Sequence, residues 1–149
     1  MSKKYYSAGF LFSEDHKRVA LIRKNKPEWQ AGRLNAIGGK IEDGETPGQA
    51  MNREFIEEAG IDVTTFLSFT NWDNFAFLEG PDWSCHFYRA FGDPELCESK
   101  TDEIVKVFEV EKVKLMNRPE VIGNIPWLLS LALDITGGVV FPVHIKYDG

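Results

Sequence analysis

Short apolar runs with alternating polar residues recur along the chain, and their spacing predicts several β-strands. Residues 5–12 and 18–23 are rich in aromatic and branched apolar side chains, and the polar residues 13–17 between them predict a β-hairpin. Residues 104–110 alternate apolar and charged side chains, which is the pattern of a half-buried strand. These segments are therefore expected to contribute strands to a sheet.

The middle and the end of the chain contain further strand-like segments. Residues 64–77 are β-branched and aromatic, and they predict one long or bent strand. A turn at residues 79–82 then leads to a partner strand over residues 83–91. Residues 139–147 predict the last strand, and Pro142 would place it at a sheet edge or at a bulge.

A glycine-rich loop followed by a helix is predicted over residues 39–61. Thr46 is a favoured N-cap residue, Gln49 stands three positions later, and Pro47 occupies the first helical position. Gly60 supplies the stop, because glycine tolerates the left-handed conformation that closes many helices. Local sequence alone thus defines both ends of this helix.

A second helix is predicted to begin at residues 124–126 and to end at residues 137–138. In the first helix, Met51, Phe55 and Ala59 share an apolar face, which is expected to be buried. Strands mixed with two helices indicate an α/β fold, in which helices flank a mixed sheet.

The first helix also carries three glutamates, Glu54, Glu57 and Glu58, on one face. Their position toward the helix C-terminus opposes the helix dipole. One interpretation is a solvated acidic surface. The other is a site for a hard divalent cation, Mg²⁺ or Mn²⁺, which prefers oxygen ligands; Gly38 and Gly39 would let a backbone carbonyl approach it.

Length and charge restrict the classes of partner. The 149 residues fit one domain, and the formal charge of −6 without a basic run argues against long nucleic acid. Cys85 and Cys97 lack metal-binding spacing and are expected to be reduced thiols. Neither a signal peptide nor a transmembrane run is recognisable, so we expect a cytoplasmic protein without a membrane partner.

The stretch 39–61 resembles the Nudix box, in which a glycine, a glutamate and an Arg-Glu-apolar-X-Glu-Glu-X-Gly-apolar segment recur at fixed spacing. Every specified position is filled here, by Gly39, Glu45, Arg53, Glu54, Phe55, Glu57, Glu58, Gly60 and Ile61. The resemblance implies a single Nudix hydrolase domain over residues 1–149. It also implies an α/β/α sandwich with a mixed sheet and the box loop and helix at its edge.

The resemblance further implies a metal-dependent pyrophosphohydrolase that cleaves the diphosphate linkage of a nucleoside triphosphate. Its metal ligands would be the three glutamates of the box helix and the backbone carbonyl of Gly39. Arg53 would orient these glutamates, and Glu45 would be chiefly structural. Either Glu54 or Glu58 could act as the general base. Glu103 could be a base or an extra ligand, or else a solvated loop carboxylate.

Two further stretches, residues 31–40 and 124–129, resemble the oxidised-purine nucleoside triphosphatase branch of MutT-type enzymes. Base-reading roles would fall to Asn35 and Asn124, and a base-stacking role to Trp127. Lys40 and Arg23 are further candidates for substrate binding. The alternatives are that Asn35 satisfies backbone groups, that Asn124 caps the last helix, and that Trp127 belongs to the core.

The chain departs from that branch at residues 123–124, where Gly-Asn replaces an acidic pair. An amide offers its own donor and acceptor, so the resemblance does not extend to a preference for the oxidised base. Trp29, Phe75 and Trp83 are other possible stacking residues. Rival functions are a nucleotide-sugar or ADP-ribose pyrophosphatase and a non-catalytic nucleotide sensor. The protein is expected to be a monomer or homodimer.

Overall fold

The computed structural model describes residues 2–134 and 136–148. Its strands and helices follow in this order: β1 (Lys4–Ser13), β2 (Arg18–Arg23), β3 (Leu34–Asn35), β4 (Ile37–Lys40), α1 (Pro47–Ala59), β5 (Asp73–Glu79), β6 (Trp83–Gly92), β7 (Ile104–Glu109), α2 (Val110–Lys114), α3 (Ile125–Ala132) and β8 (Val143–Lys146).

All eight strands belong to one mixed sheet with the order β3-β2-β1-β6-β5-β8, to which β4 is added through β1 and β7 through β2. The predicted hairpin is confirmed, because β1 and β2 are antiparallel with Phe12 opposite Val19. The long strands β1 and β6 run parallel from the Lys4–Trp83 pair to the Ser13–Gly92 pair. This parallel pair forms the centre of the sheet.

Alternation along β1 divides the core between the two faces of the sheet. Phe10 and Phe12 point to one face, where they join the buried residues of α2 and α3. Leu11 points to the other face, where it joins Met51 and Phe55 of α1. All of these side chains are completely buried, as the period-two geometry of a strand between two apolar layers requires. The predicted sheet flanked by helices is therefore confirmed.

Helix α1 has the predicted ends. Thr46 Oγ1 accepts a hydrogen bond from the Gln49 backbone N–H, and the Gln49 side chain accepts one from the Thr46 N–H. The helix stops at Gly60, whose φ of 74° is the left-handed conformation that glycine adopts without a Cβ penalty. Ser7 of β1 donates to the Pro47 carbonyl at 2.8 Å, which fixes the start of the helix on the sheet.

The strand predicted over residues 64–77 is wrong in its first half. Asp62 accepts a hydrogen bond from the Thr64 N–H and caps a 3-10 turn over Val63–Thr65, and β5 begins only at Asp73. Between the 3-10 turn and β5, Thr70 forms hydrogen bonds with the backbone of Phe91, near the end of β6. The polar residues between these points stabilise turns rather than a continuous ladder.

The end of the chain also differs from the prediction. Helix α3 ends at Ala132 and not at residues 137–138. The Ala132 carbonyl accepts a 2.6 Å bond from Arg89 Nη1, and the Thr136 N–H, which would reach this carbonyl in a longer helix, donates to the Asp134 side chain. Strand β8 is shorter than predicted and lies at the sheet edge after Pro142. Helix α2 was not predicted, since its five residues are too short to show a helical period.

The two cysteines are free thiols, with Cys85 buried and Cys97 partly buried. Among the residues described, no helix has the length and apolar character needed to cross a membrane.

Candidate functional site

Arg53 connects the loop before α1 to the glutamates on the helix. Its guanidinium donates to both carboxylate oxygens of Glu45, at 2.7 and 2.9 Å, and to the Lys40 carbonyl at 3.0 Å. The same side chain reaches Glu54 at 3.0 Å and Glu57 at 3.3 Å. The bidentate bond with Arg53, together with the Glu42 N–H, lowers the pKa of the Glu45 carboxyl to about 2. Glu45 therefore remains ionised and stabilises the loop.

The Glu54 carboxylate packs directly on the α-carbon of Gly39. A Cβ at this position would lie 2.5 Å from Glu54 Oε1, so a larger residue could not occupy it without displacing the carboxylate. Gly39 stands opposite Ser7 in the β1–β4 ladder, and Ser7 also holds the start of α1. Strand pairing thus brings the backbone of Gly39 to the glutamate face of the helix.

Glu58 is the most electrostatically strained member of this face. Burial raises the pKa of its carboxyl to about 8, and hydrogen bonding and repulsion from Glu54 and repulsion from Glu103 add to the shift, whereas Lys24 opposes it. Its Oε2 atom is buried and has no hydrogen-bond partner among the residues described. Glu57, in contrast, has 54% of its side chain exposed.

These features fit a divalent cation, because it would supply the positive charge and the partner that Glu58 Oε2 lacks. The donors are oxygens, and the missing Cβ of Gly39 lets the Glu54 carboxylate lie against the Gly39 backbone. The ligands are not preassembled: within residues 2–134 and 136–148, no group of three His, Cys, Asp or Glu side chains has converged on a metal position. Arg53 instead holds Glu54 and Glu57 in ion pairs.

Glu103 is buried, with 7% of the residue exposed, so the interpretation as a solvated loop carboxylate is wrong. Its oxygens accept bonds from Lys24 Nζ at 3.0 Å and from the Asn25 backbone N–H at 2.7 Å. Burial alone would raise the pKa of this carboxyl, but these hydrogen bonds outweigh it and the pKa lies below the ordinary value. Glu103 consequently fixes the position of the Lys24 ammonium group.

A cavity of about 1150 Å³ opens beside Gly39 and extends between the sheet and α3. Its lining includes Lys24 and the Gly38–Gly39 backbone. The walls carry aromatic and amide side chains, namely Tyr6, Trp29, Gln30, Asn35, Trp83, Phe87, Asn124, Trp127 and Tyr147. An aromatic cavity with a few polar groups and a neighbouring carboxylate cluster is the usual form of a site for a small aromatic ligand.

The structure distinguishes between the alternatives for the wall residues. Trp127 is 39% exposed and lines the cavity, so the core interpretation is wrong. Asn124 holds the N-cap position of α3 without a side-chain cap bond, and its buried Oδ1 has no partner in the described part of the chain. Asn35 does satisfy a backbone group, the Ala36 N–H, while also lining the cavity. Phe75 is completely buried and cannot stack on a ligand.

The two basic candidates lie elsewhere. Arg23 is exposed and donates to the Gly32 carbonyl at 2.9 Å, and Lys40 is exposed at the end of β4; neither side chain lines the cavity. Lys24, which we did not single out from the sequence, lines the cavity, as Lys4 and Arg118 do, and its charge also acts on Glu58. Because neighbouring positions of a strand point to opposite sides, the Arg23–Lys24 pair could have suggested that only one of them faces the site.

Comparison with a family profile and with known proteins shows which proteins this chain resembles. The profile of the NUDIX domain family matches residues 3–128. An "8-oxo-dGTP diphosphatase" of Proteus vulgaris is 40% identical over 62 residues, which are 42% of this chain and 55% of that protein. An "oxidized purine nucleoside triphosphate hydrolase" of Danio rerio is 34% identical over 98 residues, 62% of this chain and 60% of that protein. The matched part therefore spans less than two thirds of each of these relatives.

A solved NUDIX-family hydrolase of Clostridium perfringens has the same fold. Its TM-score is 0.68 at 20% identity, and the match covers 91% of this chain and 99% of that one. The family profile covers most of the chain, including the box helix and strands β1 to β7. The chain belongs to the NUDIX domain family.

Proposed function

We propose that this chain is a divalent-metal-dependent pyrophosphohydrolase that cleaves a nucleoside triphosphate to a monophosphate and pyrophosphate, with a purine as its base. The observation that carries the proposal is the continuous cavity from the Gly39 backbone to Trp127. A nucleotide placed in it would have its phosphates beside the box glutamates and its base between aromatic and amide side chains.

Glu54, Glu57, Glu58 and the Gly39 carbonyl would hold the metal, Mg²⁺ or Mn²⁺. When bound, such a cation neutralises phosphate charge and acidifies water. Arg53 contributes by position rather than by contact with substrate, because its guanidinium is already occupied by Glu45, Glu54 and the Lys40 carbonyl. It limits the movement of the ligand side chains and keeps the loop against the helix.

Glu58 is the better candidate for the general base. In the hydrolysis, a water oxygen bonds to the α- or β-phosphorus, the anhydride P–O bond between these two atoms breaks, and the displaced phosphate group leaves with the electron pair of that bond. The water proton must pass to a nearby acceptor. Glu54 already accepts a bond from Arg53, whereas no described side chain donates to Glu58, so Glu58 would take this proton on Oε1 while Oε2 faces the metal.

Lys24 would bind the phosphates, since it lines the cavity and its charge also acts on Glu58 of the box helix. Glu103 holds that ammonium from behind and leaves its remaining N–H groups for an anionic ligand. Glu103 is thus proposed as a positioning residue instead of the base, because both of its oxygens are occupied.

The exposed surfaces of Trp29 and Trp127 would stack on the base, and the amides of Asn35 and Asn124 would read its polar edge. The relatives from Proteus vulgaris and Danio rerio, an 8-oxo-dGTP diphosphatase and an oxidized purine nucleoside triphosphate hydrolase, support a purine. Because an asparagine replaces the acidic pair of that branch, we extend the proposal to ordinary purine triphosphates.

The test is a substrate panel with Mg²⁺ that contains oxidised and ordinary purine triphosphates, methylated pyrimidine triphosphates and ADP-ribose, with separation of the products. We expect turnover of purine triphosphates to monophosphates, and its loss in EDTA. Exclusive cleavage of ADP-ribose would overturn the substrate class. No turnover of any nucleotide under saturating Mg²⁺ would favour the sensor instead.

A further inference from the structure

Gln30 lies at the end of a 3-10 turn, Glu28–Gln30, in the loop between β2 and β3, and it shares the cavity wall with Asn35. The backbone of Gln30 is anchored at both groups, by donation to the Pro27 carbonyl and acceptance from the Arg33 N–H, each at 2.9 Å. Its side-chain amide contacts the amide of Asn35 at 2.9 Å. The two amides form a rigid pair beside the predicted base position.

The backbone fixes which atoms of this pair are donors. The Ala36 N–H can only donate, so the atom 2.8 Å from it must be Asn35 Oδ1. Asn35 Nδ2 then faces Gln30, and the atom that accepts its hydrogen bond must be Gln30 Oε1. Gln30 Nε2 is left as the outer group, without a protein partner in residues 2–134 and 136–148. One backbone N–H thus determines the orientation of both side chains.

We propose that Gln30 is a positioning and specificity residue, which locks the Asn35 amide and presents its own N–H groups beside it, and that the donors of this pair select a 6-oxopurine over a 6-aminopurine. This inference rests on the proposed nucleotide hydrolysis. The unused hydrogen-bonding groups of the pair are mainly N–H donors, since the Asn35 oxygen is already engaged by Ala36 and the Gln30 oxygen by Asn35.

The chemistry of the purine edges gives the direction of this selection. A guanine-type base presents O6 and N7 as adjacent acceptors, whereas an adenine-type base presents N7 beside an amino donor. The N–H donors of the pair can bond to the O6 and N7 acceptors of a guanine-type base. With an adenine-type base, an N–H would instead face the amino group, and no hydrogen bond would form there. A site built to hydrogen-bond one group discriminates strongly against an analogue that leaves the bond unmade.

The experiment compares kcat and KM for GTP and ATP in the wild type, Gln30→Met and Gln30→Glu. Methionine retains the length of the side chain but removes the acceptor for Asn35 and the donors for the base. We expect KM for GTP to rise about tenfold with little change in kcat, and the GTP-to-ATP preference in kcat/KM to fall about tenfold. Glutamate retains the acceptor for Asn35 but replaces the donors with a carboxylate, so we expect the preference to shift toward ATP.

Glu28→Gln is the matched control, because Glu28 is in the same turn but is absent from the cavity wall; its preference should equal that of the wild type. An unchanged preference in both Gln30 variants, with turnover retained, would overturn the inference while leaving the proposed function intact. An equal loss of kcat for both nucleotides would indicate a structural role and would also overturn it. If the wild type cleaves no nucleoside triphosphate, the proposed function itself fails.

Discussion

A carboxylate oxygen without a hydrogen-bond partner is costly to bury, and Glu58 Oε2 is such an atom. It also lies near a second carboxylate, that of Glu54, whose proximity raises the pKa of Glu58 further. Folding alone gains nothing from this arrangement. A bound cation would offset this electrostatic cost of burying Glu58. Without the cation, the cost can be measured as a change in the stability of single variants.

Replacing Glu58 by Gln should stabilise the metal-free protein and abolish its response to metal. The amide is neutral and needs no proton, so it avoids the cost of burying this carboxyl beside Glu54, and we expect Tm in EDTA to rise by about 3 °C, which corresponds to ~1 kcal/mol at this chain length. The rise in Tm that Mg²⁺ causes in the wild type should disappear, as should nucleotide turnover. Calorimetry with and without Mg²⁺ measures both effects.

Glu57→Gln is the matched control, since it removes a charge from the same helix face at an exposed position. It should give no gain in Tm in EDTA. If Glu58→Gln instead lowers Tm without metal, the account of a strained carboxylate is wrong.

At the scale of elements, the capping box decides where α1 begins and therefore where its glutamates stand. Both reciprocal bonds of the box are present, between the Thr46 hydroxyl and the Gln49 N–H and between the Gln49 side chain and the Thr46 N–H. Ser7 connects the same turn to β1. All of these contacts involve the first turn of α1. They therefore fix the position of the helix without using the predicted metal ligands.

Thr46→Ala should cost ~1 kcal/mol of unfolding free energy, because the Gln49 N–H loses its acceptor. Thr46→Ser preserves the hydroxyl and should retain most of that stability. Urea unfolding of the three proteins gives the comparison, and kcat at a temperature well below Tm should remain within twofold. A loss of the same size in the serine variant would show that the methyl packing, and not the cap, is responsible.

Lys24 and Glu103 connect two other elements, the end of β2 and the loop before β7. Strands β2 and β7 pair from Arg18–Glu109 to Arg23–Ile104, and the ion pair extends this contact beyond the ladder. Since the folded state lowers the pKa of Glu103, its contribution to stability is present above the unfolded pKa of about 4.5 and is lost as pH falls through the folded value.

Glu103→Gln should therefore lower the unfolding free energy at pH 7, by ~1–3 kcal/mol for a buried charged bond, and the difference from the wild type should shrink toward pH 3. Glu98→Gln is the control, because Glu98 pairs with Lys100 at an exposed position and should change stability by less than about 0.5 kcal/mol. Urea unfolding across this pH range provides the measurement. A difference that stays constant with pH would contradict an ionised, buried Glu103.

At the scale of the whole molecule, the sequence was most informative for the part of the site whose residues lie close together along the chain. The cap, the stop and the glutamate face of α1 are encoded within residues 46–60, so their spacing could be read directly. The cavity could not be read in this way, because it joins β1, β6, the loop after β2 and the start of α3. Whether Arg23 or Lys24 faces it depends on strand pairing.

Aromatic residues illustrate the same limit. Phe75 and Trp83 both lie in strand-like sequence, yet Phe75 is buried in the core and Trp83 lines the cavity. Hydrophobic periodicity predicts that such residues point toward an apolar layer, but it does not reveal where that layer opens into a site. The hydrogen bond between Gln30 and Asn35 likewise depends on the path of a loop that has no periodic pattern.

The most direct test of the central claim is ³¹P NMR of a purine triphosphate incubated with the protein in Mg²⁺, followed by the same reaction in EDTA. We predict that the triphosphate signals are replaced by those of a nucleoside monophosphate and pyrophosphate, and that EDTA prevents the change. Orthophosphate and nucleoside diphosphate as the first products, or equal turnover in EDTA, would contradict the account.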